Sequence, residues 1–255
     1  MHRVICLALL SLLLVPMRAT ADEEVTYRTS DNVEVHAYWQ DSRAADKSAA
    51  PTILLFHMAR ASAQGEYQET SERLNEEGYN TLAVDLRSGS DRLGAPNKTQ
   101  LALEGREYSY CEAYPDLVAS LEWAQQHTQG PIMAVGSSFS AALVVKLAAD
   151  FPDQLKGVVA FSPASGEPME GCRPEEILDQ LSIPVMALRP DREMAIESVQ
   201  AQAKAFEAQS IPYLEIENGR HGSLMLRQSV TGAPMDHAWE PFLSFLGKAM
   251  LQTNN

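Results

Sequence analysis

The sequence predicts an α/β fold built on a mostly parallel sheet, and three observations predict it. Six short apolar runs without alternation are spaced along the chain, at Thr52–Phe56, 81–84, 132–135, Val158–Phe161, 185–188 and Tyr213–Ile216. Segments of helical pattern separate them. Two segments that alternate apolar and polar residues precede them all. Continuous runs of this length suit strands buried on both faces. Strand–helix alternation implies right-handed crossovers that place helices on both sides of the sheet. The count is about eight strands, the first two forming an antiparallel hairpin. The 255 residues show no internal repeat and no linker, so a single domain is expected, and 45% hydrophobic with 21% charged residues is globular composition.

The chain opens on His2-Arg3, an apolar run over residues 4–15, and Ala19-Thr20-Ala21. A basic start, a short apolar core and an Ala-x-Ala ending form a secretory signal peptide, and the run is too short to span a bilayer comfortably. Residues 1–21 are therefore expected to be removed and residues 22–255 to form the domain, exported to a bacterial periplasm or secreted, with no stable membrane anchor. Cleavage also removes Cys6, leaving Cys111 and Cys172 as a possible disulfide or two free thiols.

The hairpin is read at 25–28 and 33–39, turned by Ser30-Asp31-Asn32. A helix over 67–77 ends at Gly78. Another over 114–127 carries Leu117, Leu121 and Trp123-Ala124 on one side. A third over 139–150 closes before Pro152. Helices at 174–181, 193–209 and 237–252 complete the series. With 34 acidic against 20 basic residues the net charge is −14, a surface that repels nucleic acid and anionic membranes.

Residues 132–142, Ile-Met-Ala-Val-Gly-Ser-Ser-Phe-Ser-Ala-Ala, carry the most chemistry. A buried strand runs into a helix with almost no loop, and Ser138 sits on the turn. A residue there is forced into a strained conformation that lifts its side chain above the sheet edge, which requires small neighbours two residues away on each side. Here these are Gly136 and Ser140; the usual pattern, Gly-x-Ser-x-Gly, has Gly at the second position. With this element order, the chain resembles the α/β-hydrolase family, nearest to dienelactone-hydrolase-like and small esterase members. The resemblance covers almost all of residues 22–255.

What the resemblance implies can be placed residue by residue. Ser138 is the nucleophile of a serine hydrolase that cleaves a small ester-type substrate through an acyl-enzyme. The family order is serine, acid, histidine. His221, in the loop after the last strand, is then the general base, with His237 as the fallback. The acid belongs after the strand at 185–188, where Asp191 is the first candidate and Glu193 the second. The oxyanion donors are the backbone N–H of Phe139 and that of Met58 or Ala59. His57, Asp85 and Arg87 read as structural. The long stretch 91–110 and the later loop bring Tyr108, Tyr110, Tyr114, Met169 and Arg173 to the rim, where Cys111 and Cys172 also fall. No phosphate loop, dinucleotide fingerprint or metal-ligand spacing occurs, so neither cofactor nor metal is expected. Asn97-Lys98-Thr99 is a glycosylation sequon. The other class in play is a hydrolase-fold protein that binds a small molecule or partner without turnover; a peptidase or thioesterase would use the same triad.

Overall fold

The computed structural model describes residues 22–251, so the expected signal peptide at 1–21 lies outside the described residues. Strands β1 (Glu23–Arg28) and β2 (Glu34–Gln40) pair antiparallel. Asn32 supplies the left-handed residue of their turn, at φ 64°. Six more strands follow: β3 (Thr52–Phe56), β4 (Asn80–Val84), β5 (Ile132–Ser137), β6 (Val158–Phe161), β7 (Val185–Pro190) and β8 (Tyr213–Ile216). Their order across the sheet is β1-β2-β4-β3-β5-β6-β7-β8, parallel from β4 to β8. β5 is central. The order reverses direction between β3 and β5, and the carboxyl ends of strands at such a switch point are where open α/β sheets hold ligands.

Two apolar layers explain why the runs lack alternation. Leu54 and Phe56 of β3 point to one face and Ile53 and Leu55 to the other, and Ala134 and Met133 of β5 divide likewise. Helices α3 (Tyr114–His127), α4 (Phe139–Asp150) and α5 (Glu197–Ala208) cover the first face through Leu117, Leu121, Val144, Leu147 and Phe206. Helices α1 (Ala63–Glu76) and α7 (Asp236–Leu251) cover the second through Tyr67, Leu74, Trp239, Phe242 and Leu246. Two short helices, α2 (Lys98–Ala102) and α6 (Gln228–Thr231), sit in loops.

The structure departs from the sequence reading at several elements. Helix α1, expected from 67, begins at Ala63, where the Ser62 side chain caps it by accepting the Gly65 N–H at 3.1 Å. Helix α2 is too short for periodicity to register; the Asn97 side chain caps it by accepting the Gln100 N–H at 2.8 Å. The expected helix at 174–181 is two 3₁₀ turns, Pro174–Glu176 and Leu178–Gln180, broken where Ile177 adopts φ −134°. The helix expected from 193 begins at Glu197, because Asp191–Glu193 form a separate 3₁₀ turn and Ile196 is extended. Asn97 is 2% exposed and donates to Leu86 O at 2.9 Å and His57 Nε2 at 3.0 Å, so the sequon asparagine is closed to a glycosyltransferase once the chain has folded.

Cys111 and Cys172 are joined in a disulfide, Cα–Cα 5.8 Å, across a sequence separation of 61. It ties the loop before α3 to the excursion between β6 and β7. Closing a loop of that size contributes about 4 kcal/mol in the chain-entropy account. Cys111→Ser/Cys172→Ser is therefore expected to lower Tm by roughly 10 °C. Thermal denaturation of the two proteins side by side checks this, and an unchanged Tm would contradict it.

Candidate active site

Ser138 stands between β5 and α4 at φ 61°, ψ −115°, outside the regions that L-residues favour. The surrounding backbone over-determines this conformation. Ser138 N–H donates to Phe161 O at 2.9 Å, and Ser138 O accepts from Ala164 N–H at 3.0 Å and Ala141 N–H at 3.1 Å. The side chain is half-buried at the carboxyl end of the sheet. Gly136 is needed for the close approach of strand to helix: a Cβ there would lie 2.4 Å from Ser140 O and 2.6 Å from Ala141 Cα.

Ser140 occupies the second glycine position of the usual pattern, and its hydroxyl is absorbed into the turn. It accepts from Ser137 N–H at 2.9 Å and reaches Phe56 O at 2.7 Å, stitching the elbow to β3. Restoring the usual residue should thus weaken the fold. We expect Ser140→Gly to cost about 1–3 kcal/mol, because a buried N–H loses its partner and a helix gains a glycine. Denaturant unfolding reads this directly; a variant as stable as wild type would show that the hydroxyl is idle.

His221 precedes a 3₁₀ turn, Gly222–Leu226, in the segment after β8. Its Nδ1 meets Glu193 Oε1 at 2.7 Å. The partner of His221 is thus Glu193, not Asp191. The cause is strand length: β7 runs to Pro190, two residues beyond the apolar run, so Asp191 opens the 3₁₀ turn and spends its carboxylate on backbone. Asp191 Oδ1 accepts from Arg192 N–H at 2.8 Å and Oδ2 from Asn218 N–H at 3.2 Å. The turn then swings Glu193 towards His221. Arg189, buried in β7, donates to Glu193 Oε2 at 2.9 Å, and to Gln202 Oε1 at 2.9 Å and Pro163 O. Burial pushes the Glu193 carboxyl up, but its bond to His221 and the charges of His221 and Arg189 outweigh burial and hold it below the ordinary glutamate range. His237, the alternative base, lies exposed on α7 and bonds Glu217 O at 2.9 Å.

The loop bearing His221 is brought to the elbow of Ser138 by backbone bonds. Gly222 N–H donates to Ser162 Oγ at 3.0 Å, and Ser223 N–H donates to Ser137 Oγ, next to Ser138, at 3.0 Å. Of the two oxyanion candidates after β3, Met58 is already committed: its N–H donates to Glu66 Oε2 at 2.7 Å. That leaves Ala59, which is half-buried. Phe139 opens α4 directly after Ser138.

His57 is fully buried and structural. Its Nδ1–H donates to Met58 O at 2.8 Å, and Nε2 accepts from Leu86 N–H at 2.9 Å. Burial pushes its pKa down to about 4, so the ring is neutral. Asp85 accepts from Ala63 N–H at 2.7 Å and Lys98 N–H at 2.8 Å, and burial raises it to about 6. Arg87 forms paired bonds with buried Asp116 and with Asp31. These groups shape the loops at the carboxyl end of the sheet. Of the expected rim tyrosines, Tyr110 stacks on Phe139 with centroids 4.8 Å apart. Tyr108 lies against Arg87, 4.9 Å from the guanidinium, and Tyr114 turns to Asp150 and Lys146 on α4. Among the described residues, no group of three or more His, Cys, Asp or Glu side chains is placed to hold a metal ion.

The sequence assigns no role to Glu66, Ser162, Arg189 or Ser223, and Ser137 lacks small neighbours two residues away, which are Val135 and Phe139. Glu66 did leave a signal, an acid on the inward stripe of α1 beside Ala63, Tyr67 and Thr70. The others are ordinary serines and one arginine at the end of an apolar run, and nothing local marks them.

The family model of the dienelactone hydrolase family matches residues 35–250 of this chain. No curated protein matches it. Among solved structures, an esterase of Pyrococcus furiosus superposes with a TM-score of 0.67 at 17% identity, covering 91% of this chain and 92% of that one. A putative dienelactone hydrolase of Klebsiella pneumoniae gives 0.67 at 18%, covering 90% and 99%. An acylaminoacyl peptidase of Pyrococcus horikoshii gives 0.67 at 11%, with 94% of this chain on 44% of that one. At these identities the likenesses establish the fold, an α/β-hydrolase fold.

Proposed function

Because this chain belongs to the dienelactone hydrolase family, we propose that it is an exported serine hydrolase that cleaves a small ester-type substrate through an acyl-enzyme on Ser138. The observation that carries the reading is a serine held at φ 61° on a strand-to-helix elbow, with His221, paired to Glu193, in the loop that is bonded to its neighbour Ser137. A serine hydroxyl is a poor nucleophile until a base takes its proton. His221 takes it through Nε2 as Ser138 Oγ attacks the carbonyl carbon. Glu193 holds the Nδ1–H tautomer and stabilises the imidazolium that forms. The N–H groups of Phe139 and Ala59 receive the oxyanion. Collapse breaks the ester C–O bond, and the alcohol leaves with the proton from His221. Water, activated by the same histidine, then frees the acid and restores Ser138.

Esters are favoured over amides because an alcohol leaves more readily than an amine. Export rests on the pattern of residues 1–21 and agrees with a disulfide, which persists in oxidising compartments. A bacterial periplasm is the favoured destination. Among the described residues no helix is long and apolar enough to cross a membrane.

The test is reaction with a fluorophosphonate probe, followed by peptide mapping. Phosphonylation of Ser138 and loss of ester turnover are expected together. Folded protein that stays unlabelled and turns over no ester of any chain length would replace this reading with that of a small-molecule binder on a hydrolase fold.

A further inference from the structure

We infer that Glu66, which takes no part in the proton relay, is a positioning residue that holds the oxyanion loop and the histidine loop in place around Ser138. The inference rests on the serine-hydrolase reading above.

Glu66 lies in the first turn of α1, and its side chain is wholly buried. Its carboxylate is spent on the loops of the site. Oε2 accepts the Met58 N–H at 2.7 Å, and Met58 is the residue before Ala59. Oε1 accepts the Ser223 hydroxyl at 2.5 Å, and Ser223 is two residues after His221. Ser223 in turn donates its N–H to Ser137 Oγ, the neighbour of the nucleophile. All three segments that the reaction uses therefore converge on one side chain.

Two further features show how tightly this junction is built. Gly222 sits at φ 64°, and a Cβ there would lie 2.2 Å from Ser137 Oγ and 3.8 Å from Glu66 Oε1, so no larger residue fits between the loops. Arg227, from the segment that follows, donates to Gly65 O at 2.5 Å and anchors that segment to α1 through the backbone, leaving the carboxylate to Met58, Ser223 and Ser137. A buried carboxylate is costlier to hold in a fold than an apolar side chain of the same size. Burial accordingly raises the Glu66 pKa, with the bonds from Ser137, Ser223 and Met58 pulling the other way. A core needing only packing would use leucine or methionine here.

What Glu66 supplies is geometry. Oxyanion donors act only when aimed at the developing charge, and a shift of about 1 Å in a supporting element costs on the order of 100-fold in rate. Met58 fixes where the Ala59 N–H stands, and Ser223 fixes where the His221 ring stands. Losing Glu66 frees both, and the loss falls on the transition state rather than on substrate binding.

The experiment measures kcat and KM for p-nitrophenyl acetate, and the rate of fluorophosphonate labelling, in wild type, Ser138→Ala, Glu66→Met, Glu66→Gln and Ser223→Ala. Glu66→Met keeps the length of the side chain without acceptors. It is expected to lower kcat by about 100-fold with KM within about threefold, and to slow labelling in parallel. Glu66→Gln should recover to within about fivefold of wild type, since its carbonyl accepts the Met58 N–H and the Ser223 hydroxyl reverses to accept its amide. A Glu66→Met enzyme with kcat within about threefold of wild type, or one whose loss lies in KM, overturns the inference. Should Glu66→Met fail to fold, Ser223→Ala removes one of the two links alone. A kcat reduced by roughly tenfold supports the inference and an unchanged kcat overturns it. Wild-type protein inert to both ester and probe sinks the serine-hydrolase reading itself. Active wild type with an equally active Glu66→Met sinks only the role of Glu66.

Discussion

In Ser138→Ala, kcat for short-chain p-nitrophenyl esters is expected to fall by about 10⁴- to 10⁶-fold, to a residue of catalysis supplied by the oxyanion donors and substrate binding alone. The size of the effect follows from the division of labour in the site. In the mechanism proposed above no acyl-enzyme forms without Oγ, and His221 is left only to assist direct attack by water. KM should change little, because the donors and the rim that meet the ester remain. Stability should also change little, within about 1 kcal/mol. Alanine keeps the Cβ that bears the steric cost of φ 61°, and the backbone bonds to Phe161, Ala164 and Ala141 do not involve the side chain. Stopped-flow and steady-state hydrolysis, run beside circular dichroism, separate the two effects. Turnover retained in the alanine variant would place the nucleophile elsewhere.

The second large effect is expected at Glu193. Glu193→Gln should lower kcat by about 10³- to 10⁴-fold, because a carboxamide facing Nδ1 permits the wrong imidazole tautomer and offers no charge to the imidazolium. Asp191→Asn should stay within roughly threefold of wild type, since its bonds go to the Arg192 and Asn218 N–H groups rather than to His221. Reversed magnitudes would restore Asp191 as the acid. Glu193 also carries a stability effect with a defined sign. Its carboxyl is held below the ordinary glutamate range in the fold. The stability that its pairing contributes is fully present above the unfolded value and is lost as pH falls through the lowered folded one. The gap in Tm between wild type and Glu193→Gln should therefore narrow on acidification below the ordinary glutamate range. A gap that widens would mean that the Arg189–Glu193–His221 cluster does not depend on the ionised carboxylate.

Most of the architecture is legible in the sequence. The strands at Thr52–Phe56, Val158–Phe161 and Tyr213–Ile216, and the helices at Tyr114–His127 and Phe139–Asp150, were read at the limits that the structure shows. Burial on both faces leaves a continuous apolar run, and that signal is local. Where the reading failed, the deciding contacts were distant in sequence. Helix α2 owes its start to a capping asparagine held in place by His57 and Leu86. The late start of α5 follows from a turn whose last residue is bonded to His221, 28 positions away.

For the site the division is similar. The elbow serine and the loop histidine were legible because their local surroundings are distinctive: a small-residue turn between a buried strand and a helix, and a glycine-bounded loop after the last strand. The carboxylate that meets His221 is not legible, because a difference of two residues in where β7 ends exchanges Asp191 for Glu193, and strand ends are set by pairing with β8 rather than by composition. Nor was it decidable that Met58 had no free N–H, since the carboxylate that takes it belongs to α1. By itself, then, the sequence determined the sheet, the layers and the chain positions of the elbow serine and the loop histidine, because periodicity and turn chemistry act between near neighbours. Tertiary structure alone decided which carboxylate meets His221, that the Met58 N–H is taken by Glu66, and how the loops are tied together, because hydrogen-bond partners are chosen by distances that the chain reaches only when folded.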